Sequence, residues 1–412
     1  MPSILWSNPM QVNDVAVSKE GKYLAAVNNT GVYFFASTST TAKWWCLAAL
    51  GEDFLSVAIS KNGSYLVVGN NSRGRISYFA HSSEKNGLVT PTWTSVYLGS
   101  NVEKRTLDIS DNGEYVSLGG TGENTYYFAG CTGRSGSEQS WTWRDKGPTG
   151  WGALNDIHAV DMSSDGKYIA VGGSNYTGKG SIIFYKNAYN GSGLNWTKDL
   201  TATFPLVDVA VSDDGYGVAS VDNYLTSFDY WKNANTLTGH PLWSFSDGRR
   251  FSSVDMSADG NATVAGSSDT SQSFQHLVFW KGFKIGSPTS WGKLYDEKVE
   301  EVAISEDGSI VAASTENITS LNHRVYFFAS DGTEIGRVNL LQDSPFMSMS
   351  GDGTVVAVGG PGVDSLDVIV LKSPVGGEIL SDNLPQLLMP YLLVAAVIMV
   401  GAAAAILKKR RL

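Results

Sequence analysis

A four-residue turn of the form Ser-x-(Asp/Asn/Glu)-Gly occurs eight times in this 412-residue chain. An Asp or Asn can bond its own backbone and the glycine accepts a positive φ, so the pattern is typical of a tight turn between two strands. Successive serines are 42 to 53 residues apart, a period that indicates a repeat architecture. The copies begin at Ser18, Ser60, Ser110, Ser163, Ser212, Ser257, Ser305 and Ser350.

The flanks of the turn repeat as well. Before it, two apolar residues bracket a small or acidic one, as in Val160-Asp161-Met162, and after it comes a second apolar run, such as 168–172. A third, aromatic strand pattern follows in most units, for example 325–328. A fourth is marked by tryptophan, at Trp45, Trp93, Trp143, Trp196, Trp243 and Trp291. Four strands at this period predict the blades of an all-β propeller.

The two ends of the repeat array are complementary parts of one unit. Residues 4–7 (Ile-Leu-Trp-Ser) match a fourth strand that has no first three before it, whereas the last unit has only three, ending at 368–371. Joining them completes one blade from both ends of the array. We therefore predict eight four-stranded blades in a ring that the N-terminal strand closes, which leaves no open sheet edge.

The chain changes character after residue 373. Residues 387–407 carry no charge, and 21 residues are enough for a helix to cross a hydrocarbon core of about 30 Å. We predict a propeller over 1–373, a linker over 374–386, a transmembrane helix over 387–407 and a basic tail over 408–412.

The basic tail predicts the topology. Lys408, Lys409, Arg410 and Arg411 follow the apolar segment directly, so the positive-inside rule puts this end in the cytoplasm and the propeller outside. The first twenty residues show no secretory signal, which is the argument for the opposite, tail-anchored topology. The formal charge of −10 becomes −14 without those four cations, and this acidity argues against nucleic acid as a partner of the propeller.

Eight acceptor sequons favour an extracytoplasmic, glycosylated surface, with loop composition as the open alternative. They lie at Asn28, Asn62, Asn70, Asn175, Asn190, Asn195, Asn261 and Asn317.

The two cysteines, Cys46 and Cys131, fall in repeats that are not neighbours, so a disulfide between them is disfavoured.

The segment 241–245 (Pro-Leu-Trp-Ser-Phe) leading into 254–260 resembles the repeats of WD40-like and PQQ-like propellers. The tail, from 374–378 to 408–411, resembles the carboxy-terminal membrane anchor of archaeal cell-surface proteins. The propeller resemblance implies a fold that hosts unrelated activities. Among them, a quinoprotein-like dehydrogenase would need calcium beside its quinone and a carboxylate base.

Motifs for such chemistry are missing from the sequence. It has no DxDxDG loop, no HExxH or HxxxH spacing among its five histidines, no GxSxG elbow and no Walker loop. We therefore predict no catalytic residue, no metal and no cofactor. A quinoprotein-like or other extracytoplasmic enzyme stays one alternative, and a structural envelope protein that self-associates is another.

Binding is then the favoured class of function. The loops that enter the first strands surround one mouth of the channel, and their mixed charge suits a peptide, a glycan or a small anion. The predicted rim residues are Lys104, Arg105, Asp156, His158, Arg249, Arg250, Glu300 and Glu301. We predict a membrane-anchored, non-catalytic binding or scaffold module for protein or glycan partners, with homo-oligomerisation open.

Overall fold

The computed structural model describes residues 1–371 except for 50–51, 72–73, 100–101, 121–123, 146–153, 176, 192, 200–205, 223–226, 237–240, 247, 270–275, 286–287, 294–296, 318–322, 341–345 and 361–364. The chain divides into two units, Met1–Leu371 and Lys372–Leu412, and the second lies outside the described residues. The predicted linker, transmembrane helix and basic tail fall there. Within the described ranges, no helix is both long enough and apolar enough to cross a membrane.

Eight antiparallel sheets follow one another along the chain, and this confirms the all-β, eight-bladed architecture. Blade 1 contains β2 (Asp14–Val17), β3 (Tyr23–Asn28), β4 (Gly31–Ala36) and β5 (Trp44–Leu47), and blade 2 contains β6 (Phe54–Ile59), β7 (Tyr65–Asn70), β8 (Arg75–Ala80) and β10 (Trp93–Ser95). Blade 3 contains β11 (Leu107–Ile109), β12 (Tyr115–Leu118), β13 (Thr125–Ala129) and β15 (Trp143–Asp145), and blade 4 contains β16 (Leu154–Met162), β17 (Tyr168–Asn175), β18 (Gly180–Lys186) and β19 (Leu194–Asp199).

Blade 5 contains β20 (Leu206–Val211), β21 (Gly217–Asp222), β22 (Ser227–Lys232) and β23 (Trp243–Ser246), and blade 6 contains β24 (Phe251–Met256), β25 (Ala262–Ser267), β26 (Leu277–Lys281) and β27 (Thr289–Lys293). Blade 7 contains β28 (Lys298–Ile304), β29 (Ile310–Glu316), β30 (His323–Ala329) and β31 (Glu334–Leu340). Blade 8 contains β32 (Phe346–Met349), β33 (Val355–Gly359) and β34 (Leu366–Leu371), with β1 (Pro2–Asn8) as its outer strand.

The ring closes as predicted. Strand β1 pairs antiparallel with β34, from Pro2 opposite Leu371 to Asn8 opposite Leu366, with a bulge between Ile4 and Trp6. Within each blade the strands alternate in direction, so the ring has two faces. We call the end with the Ser-x-Asp-Gly turns the turn face, and the end where the chain enters each first strand the loop face.

Blades 1 and 2 differ from the prediction because each has a fifth strand. Strand β9 (Gly87–Leu88) pairs parallel with β5, and β14 (Gly136–Gln139) pairs parallel with β10. Each of these strands comes from the connection between the third and fourth strands of the next blade. It therefore covers an outer edge that would otherwise present unpaired backbone groups.

Tryptophans of the outer strands join adjacent blades. Trp44 is buried and lies 5.1 Å, between ring centroids, from both Phe34 of its own blade and Phe79 of blade 2. Its indole N–H donates to the carbonyl of Ser82 in blade 2 at 2.8 Å. Trp45, the predicted marker of this strand, faces the other way and is 37% exposed. The same type of bond recurs at other seams of the described chain: Trp6 to Ser37, Trp93 to Cys131, Trp143 to Ala188, Trp196 to Ala234 and Trp291 to Ser330.

The glycine of the repeated turn meets two requirements at once. Gly113 has a φ of +73°, which favours glycine, and a Cβ at this position would lie 2.3 Å from the ring of Tyr65 in blade 2. The hydroxyl of Tyr78, also in blade 2, donates to the Gly113 carbonyl at 2.7 Å. The turn is therefore part of the contact between two blades as well as the connection within one.

Candidate functional site: the central channel

The first strands of all eight blades line a cavity of about 350 Å³ on the axis of the ring. Among the described residues, its charged lining consists of eight carboxylates and three cations. Acidic side chains in a confined space repel one another and lose hydration, so their partners decide what the channel can do.

Lys104 and Arg105 line the channel at its loop-face mouth. The Lys104 Nζ lies 3.0 Å from Glu301 Oε2, and Arg105 Nη2 lies 3.3 Å from Glu301 Oε1. Arg105 Nη1 lies 3.6 Å from Asp208 Oδ2 and donates to the Ser252 carbonyl at 2.8 Å. We call Lys104, Arg105, Asp208 and Glu301 the loop-face plug. It joins blade 3 to blades 5 and 7.

In the loop-face plug Asp208 is buried and the other three residues are half-buried, and their charges depend on one another. Burial lowers the pKa of Lys104 even though Glu301 opposes this. Burial alone would raise the pKa of Glu301, but Lys104 and Arg105 outweigh it and hold that pKa below its usual range. Arg105 also has a left-handed backbone, with φ of +62°, which is uncommon outside glycine. The plug is thus a preformed, strained and ion-paired element.

Lys19 holds together the opposite mouth, at the turn face. Its Nζ lies 2.9 Å from Asp111 Oδ1, 3.3 Å from Glu306 Oε1 and 3.9 Å from Asp213 Oδ1. Burial alone would lower the pKa of Lys19, but these three carboxylates raise it. One lysine of blade 1 therefore pairs with acidic groups from blades 3, 5 and 7.

The second residues of the Ser-x-Asp-Gly turns form a hydrogen-bonded ring around this mouth, which we call the turn-face girdle. The N–H of Gly351 donates to the Lys19 carbonyl at 2.9 Å, and that of Glu306 donates to the Gly351 carbonyl at 2.8 Å. The same bond joins Ala258 to Glu306, Asp213 to Ala258, Asp111 to Ser164 and Lys61 to Asp111. Two seams differ: between blades 4 and 5 Ser164 N donates to a side-chain oxygen, Asp213 Oδ1, at 3.1 Å, and between blades 1 and 2 the third turn residue, Glu20, donates its N–H to the Lys61 carbonyl at 3.0 Å.

Between the two mouths, aspartates of the first strands connect neighbouring blades. Asp255 accepts the N–H of Met256 on its own strand at 2.7 Å and that of Ile304 in blade 7 at 2.8 Å. Asp108 bridges to Met162 in the same way, and Asp161 to Val211. Closer to the loop face, Asp14 and Asp208 make equivalent bridges to Val57 and Val254.

Burial raises the pKa of these bridging carboxylates although backbone N–H groups stabilise the charged form. The pKa of Asp14 and of Asp255 is raised to about 7, and that of Asp108 to about 6. Burial also raises the pKa of Asp161 well above its usual range, and the neighbouring Asp108 adds to this. Asp14, Asp108 and Asp255 therefore gain protons near neutral pH.

The predicted rim residues do not form a single cluster. Lys104, Arg105 and Glu301 converge in the plug, whereas Asp156 and His158 face each other at 3.9 Å and Glu300 pairs with Lys298 at 2.6 Å. Arg249 is buried, with its guanidinium 5.2 Å from the centre of the Phe245 ring and 5.7 Å from that of Phe251. Arg250 is exposed, and its carbonyl accepts the Ser267 hydroxyl at 2.8 Å.

Sequence reasoning missed Lys19 and the bridging aspartates. The pattern of an acidic residue between two apolar ones in the first strand was visible at Asp108, Asp161 and Asp255. It could have identified them, because an acidic residue on a buried strand needs a partner. The described residues contain no group of three or more His, Cys, Asp or Glu side chains arranged to hold a metal ion. Cys46 and Cys131 are both buried free thiols.

The described part of the chain has the WD40 type of β-propeller fold, with eight blades. The crystal structure of the C-terminal WD40 domain of Sif2 matches it with a TM-score of 0.67 at 13% identity, over 90% of this chain and 99% of that one. Chaetomium thermophilum Sqt1, solved bound to the N-terminus of ribosomal protein L10, matches with a TM-score of 0.66 at 14% identity, over 88% and 98%. No protein-family model matches the sequence, and no curated protein does. At 13% and 14% identity, these similarities establish the fold and nothing further.

Proposed function

We propose that this chain is a membrane-anchored, extracytoplasmic propeller that binds a protein partner on its loop face without catalysing a reaction. The observation that carries the proposal is that ion pairs among the protein's own side chains occupy both mouths of the channel. Lys104 and Arg105 pair with Glu301 and Asp208 at one mouth, and Lys19 pairs with Asp111, Asp213 and Glu306 at the other. We therefore place the partner on an outer surface, and on the loop face, whose connections differ from blade to blade in length and residue type.

Three further points support the proposal. Asp14, Asp108 and Asp255, which an enzyme could use as base or metal ligands, each accept backbone N–H groups of two blades, and we assign them a structural role. Sqt1, which has the same fold, was solved with a ribosomal protein segment, and this favours a peptide over a glycan as the partner. The uncharged segment 387–407 followed by four cations supplies the anchor and favours an external propeller.

Two experiments test the proposal. The first is protease protection on intact cells with a tag after Leu412. External protease should remove the propeller and spare the tag, and a protected propeller would refute the topology.

The second experiment is site-specific photo-crosslinking from exposed loop-face positions Asn29, Thr177 and Arg250, with Asn112 and Asp259 on the turn face as matched controls. We expect one discrete polypeptide adduct from the loop face alone. Equal labelling from both faces would contradict the assignment.

A further inference from the structure

Asn62 is an exposed sequon residue on the turn face. It is the third residue of the turn that starts at Ser60 in blade 2. Its side-chain oxygen accepts the N–H of Ser64 at 2.9 Å and the Ser60 hydroxyl at 3.4 Å. Because the oxygen of this planar amide faces the turn, its nitrogen points away from the turn, toward solvent.

Asn190 is a second exposed sequon residue. It ends the short 3-10 helix Ala188–Asn190 between the third and fourth strands of blade 4. Its side chain makes no hydrogen bond to any described part of the chain.

Other sequon asparagines are buried or half-buried. Asn70 and Asn175 lie at the ends of second strands and are only 4% and 2% exposed. The Asn175 oxygen accepts the N–H groups of Thr177 and Lys179, so a loop is built on this side chain. Asn28, Asn261 and Asn317 are half-buried, and the Asn28 nitrogen donates to the Gln11 carbonyl at 3.1 Å. The side chain of Asn195 lies outside the described residues.

We propose that Asn62 and Asn190 carry N-linked glycans on the folded propeller and that Asn70 and Asn175 do not; this rests on the proposed extracytoplasmic location. The donor is a lipid-linked oligosaccharide phosphate. A bond forms between the asparagine Nδ2 and C1 of the first sugar, the bond from C1 to the phosphate oxygen breaks, the lipid phosphate leaves with the electron pair, and Nδ2 loses one proton. The amide oxygen takes no part, so the Asn62 bonds to Ser60 and Ser64 survive the modification.

The two sites share one face of the ring. Asn62 lies between a first and a second strand and Asn190 between a third and a fourth, and in an antiparallel blade these connections are at the same end. Glycans at both positions would cover part of the turn face. They would leave the loop face open, which deepens the proposed function by explaining why a partner would use that face.

The test is glycopeptide mass spectrometry on the full chain purified from its own cell membranes. Peptides that contain Asn62 and Asn190 should carry the mass of a glycan, and those that contain Asn70 and Asn175 should not. Ser64→Ala removes the hydroxyl that the sequon requires but keeps Asn62, so it should remove one glycan mass, while the matched Ser64→Thr variant should retain it.

The outcomes separate this inference from the topology. A glycan on Asn70 or Asn175 would overturn the inference. Bare Asn62 and Asn190 on a propeller that external protease removes would also overturn it and would leave the proposed topology standing. A propeller that protease cannot reach would refute the topology, and the inference would fall with it.

Discussion

The ammonium group of Lys104 in blade 3 lies 3.0 Å from Glu301 Oε2 in blade 7, so one ion pair spans the ring between opposite blades. No backbone connection joins these two blades within the ring. The pair therefore couples elements that the strand ladders leave independent, and the stability of the ring should depend on it more than on surface charges.

Glu301→Gln should destabilise the protein by about 2–4 kcal/mol, because it leaves two half-buried cations without their main counter-charge while Asp208 still faces Arg105. Glu300→Gln is the matched control: Glu300 pairs with the half-buried Lys298, which keeps Glu316 as a second partner, so the loss should stay below about 1 kcal/mol. Chemical denaturation of both variants checks this. Equal effects would show that the plug contributes no more than an ordinary surface pair.

Stability should rise as the pH falls from about 8 to about 5. The pKa values of Asp14 and Asp255 are raised to about 7 and that of Asp108 to about 6, above the value near 4 of an unfolded aspartate. The folded state therefore binds more protons in this window. Its stabilisation is complete below the unfolded pKa and is lost as the pH rises through the folded pKa.

Thermal unfolding at a series of pH values measures this dependence. Asp255→Ala, which copies the alanine found at the same strand position in Ala210 and Ala303, should flatten the curve because one titrating group is gone. A Tm that falls steadily from pH 8 to pH 5 in the unmodified protein would contradict the prediction.

Trp44→Phe should cost about 1–2 kcal/mol, since it removes the indole N–H that bonds the Ser82 carbonyl at the seam between blades 1 and 2. The next residue offers the control. Trp45 is 37% exposed, and Trp45→Phe should change the free energy of unfolding by less than about 0.5 kcal/mol. Urea titration followed by fluorescence distinguishes the two, and similar losses would show that the seam bond contributes little.

Gly113→Ala should destabilise the protein by about 1–3 kcal/mol, because φ is +73° and the new methyl group would collide with the Tyr65 ring of blade 2. Gly133→Ala is the comparison, since a Cβ there would meet nothing within 4 Å. We expect its Tm to stay close to that of the unmodified protein. A tolerant Gly113 would mean that Tyr65 can move without loss of packing.

Much of the fold follows from local sequence periodicity. The turn repeats define the blades, and residues 4–7 define the closing strand, because each pattern lies within one unit of the repeat. The extra strand at Gly87–Leu88 was not predictable, since it pairs with β5 of the preceding blade and two residues carry too little pattern. Likewise, nothing in the sequence decides which of the adjacent Trp44 and Trp45 faces the seam.

The candidate site was predictable only in part. The expectation that residues just before the first strands ring the mouth drew attention to Lys104, Arg105 and Glu301, which meet in the plug, although Glu301 lies within β28. The same rule also selected Arg249, which is buried against aromatic rings, because it takes no account of side-chain direction. Lys19 and Lys61 occupy the same turn position, and only the three-dimensional arrangement distinguishes the one that enters the channel.

Closure by the N-terminal strand also means that the ring can be completed only after the last blade has been synthesised. Ile4 pairs with Ile369, so 365 residues must be synthesised before β1 meets its partner. At about 5–20 residues per second this takes about 20–70 s, during which Trp6 has no blade to complete. For that interval the nascent chain is an open arc with two unpaired ends, and premature association of those ends with other chains competes with ring closure.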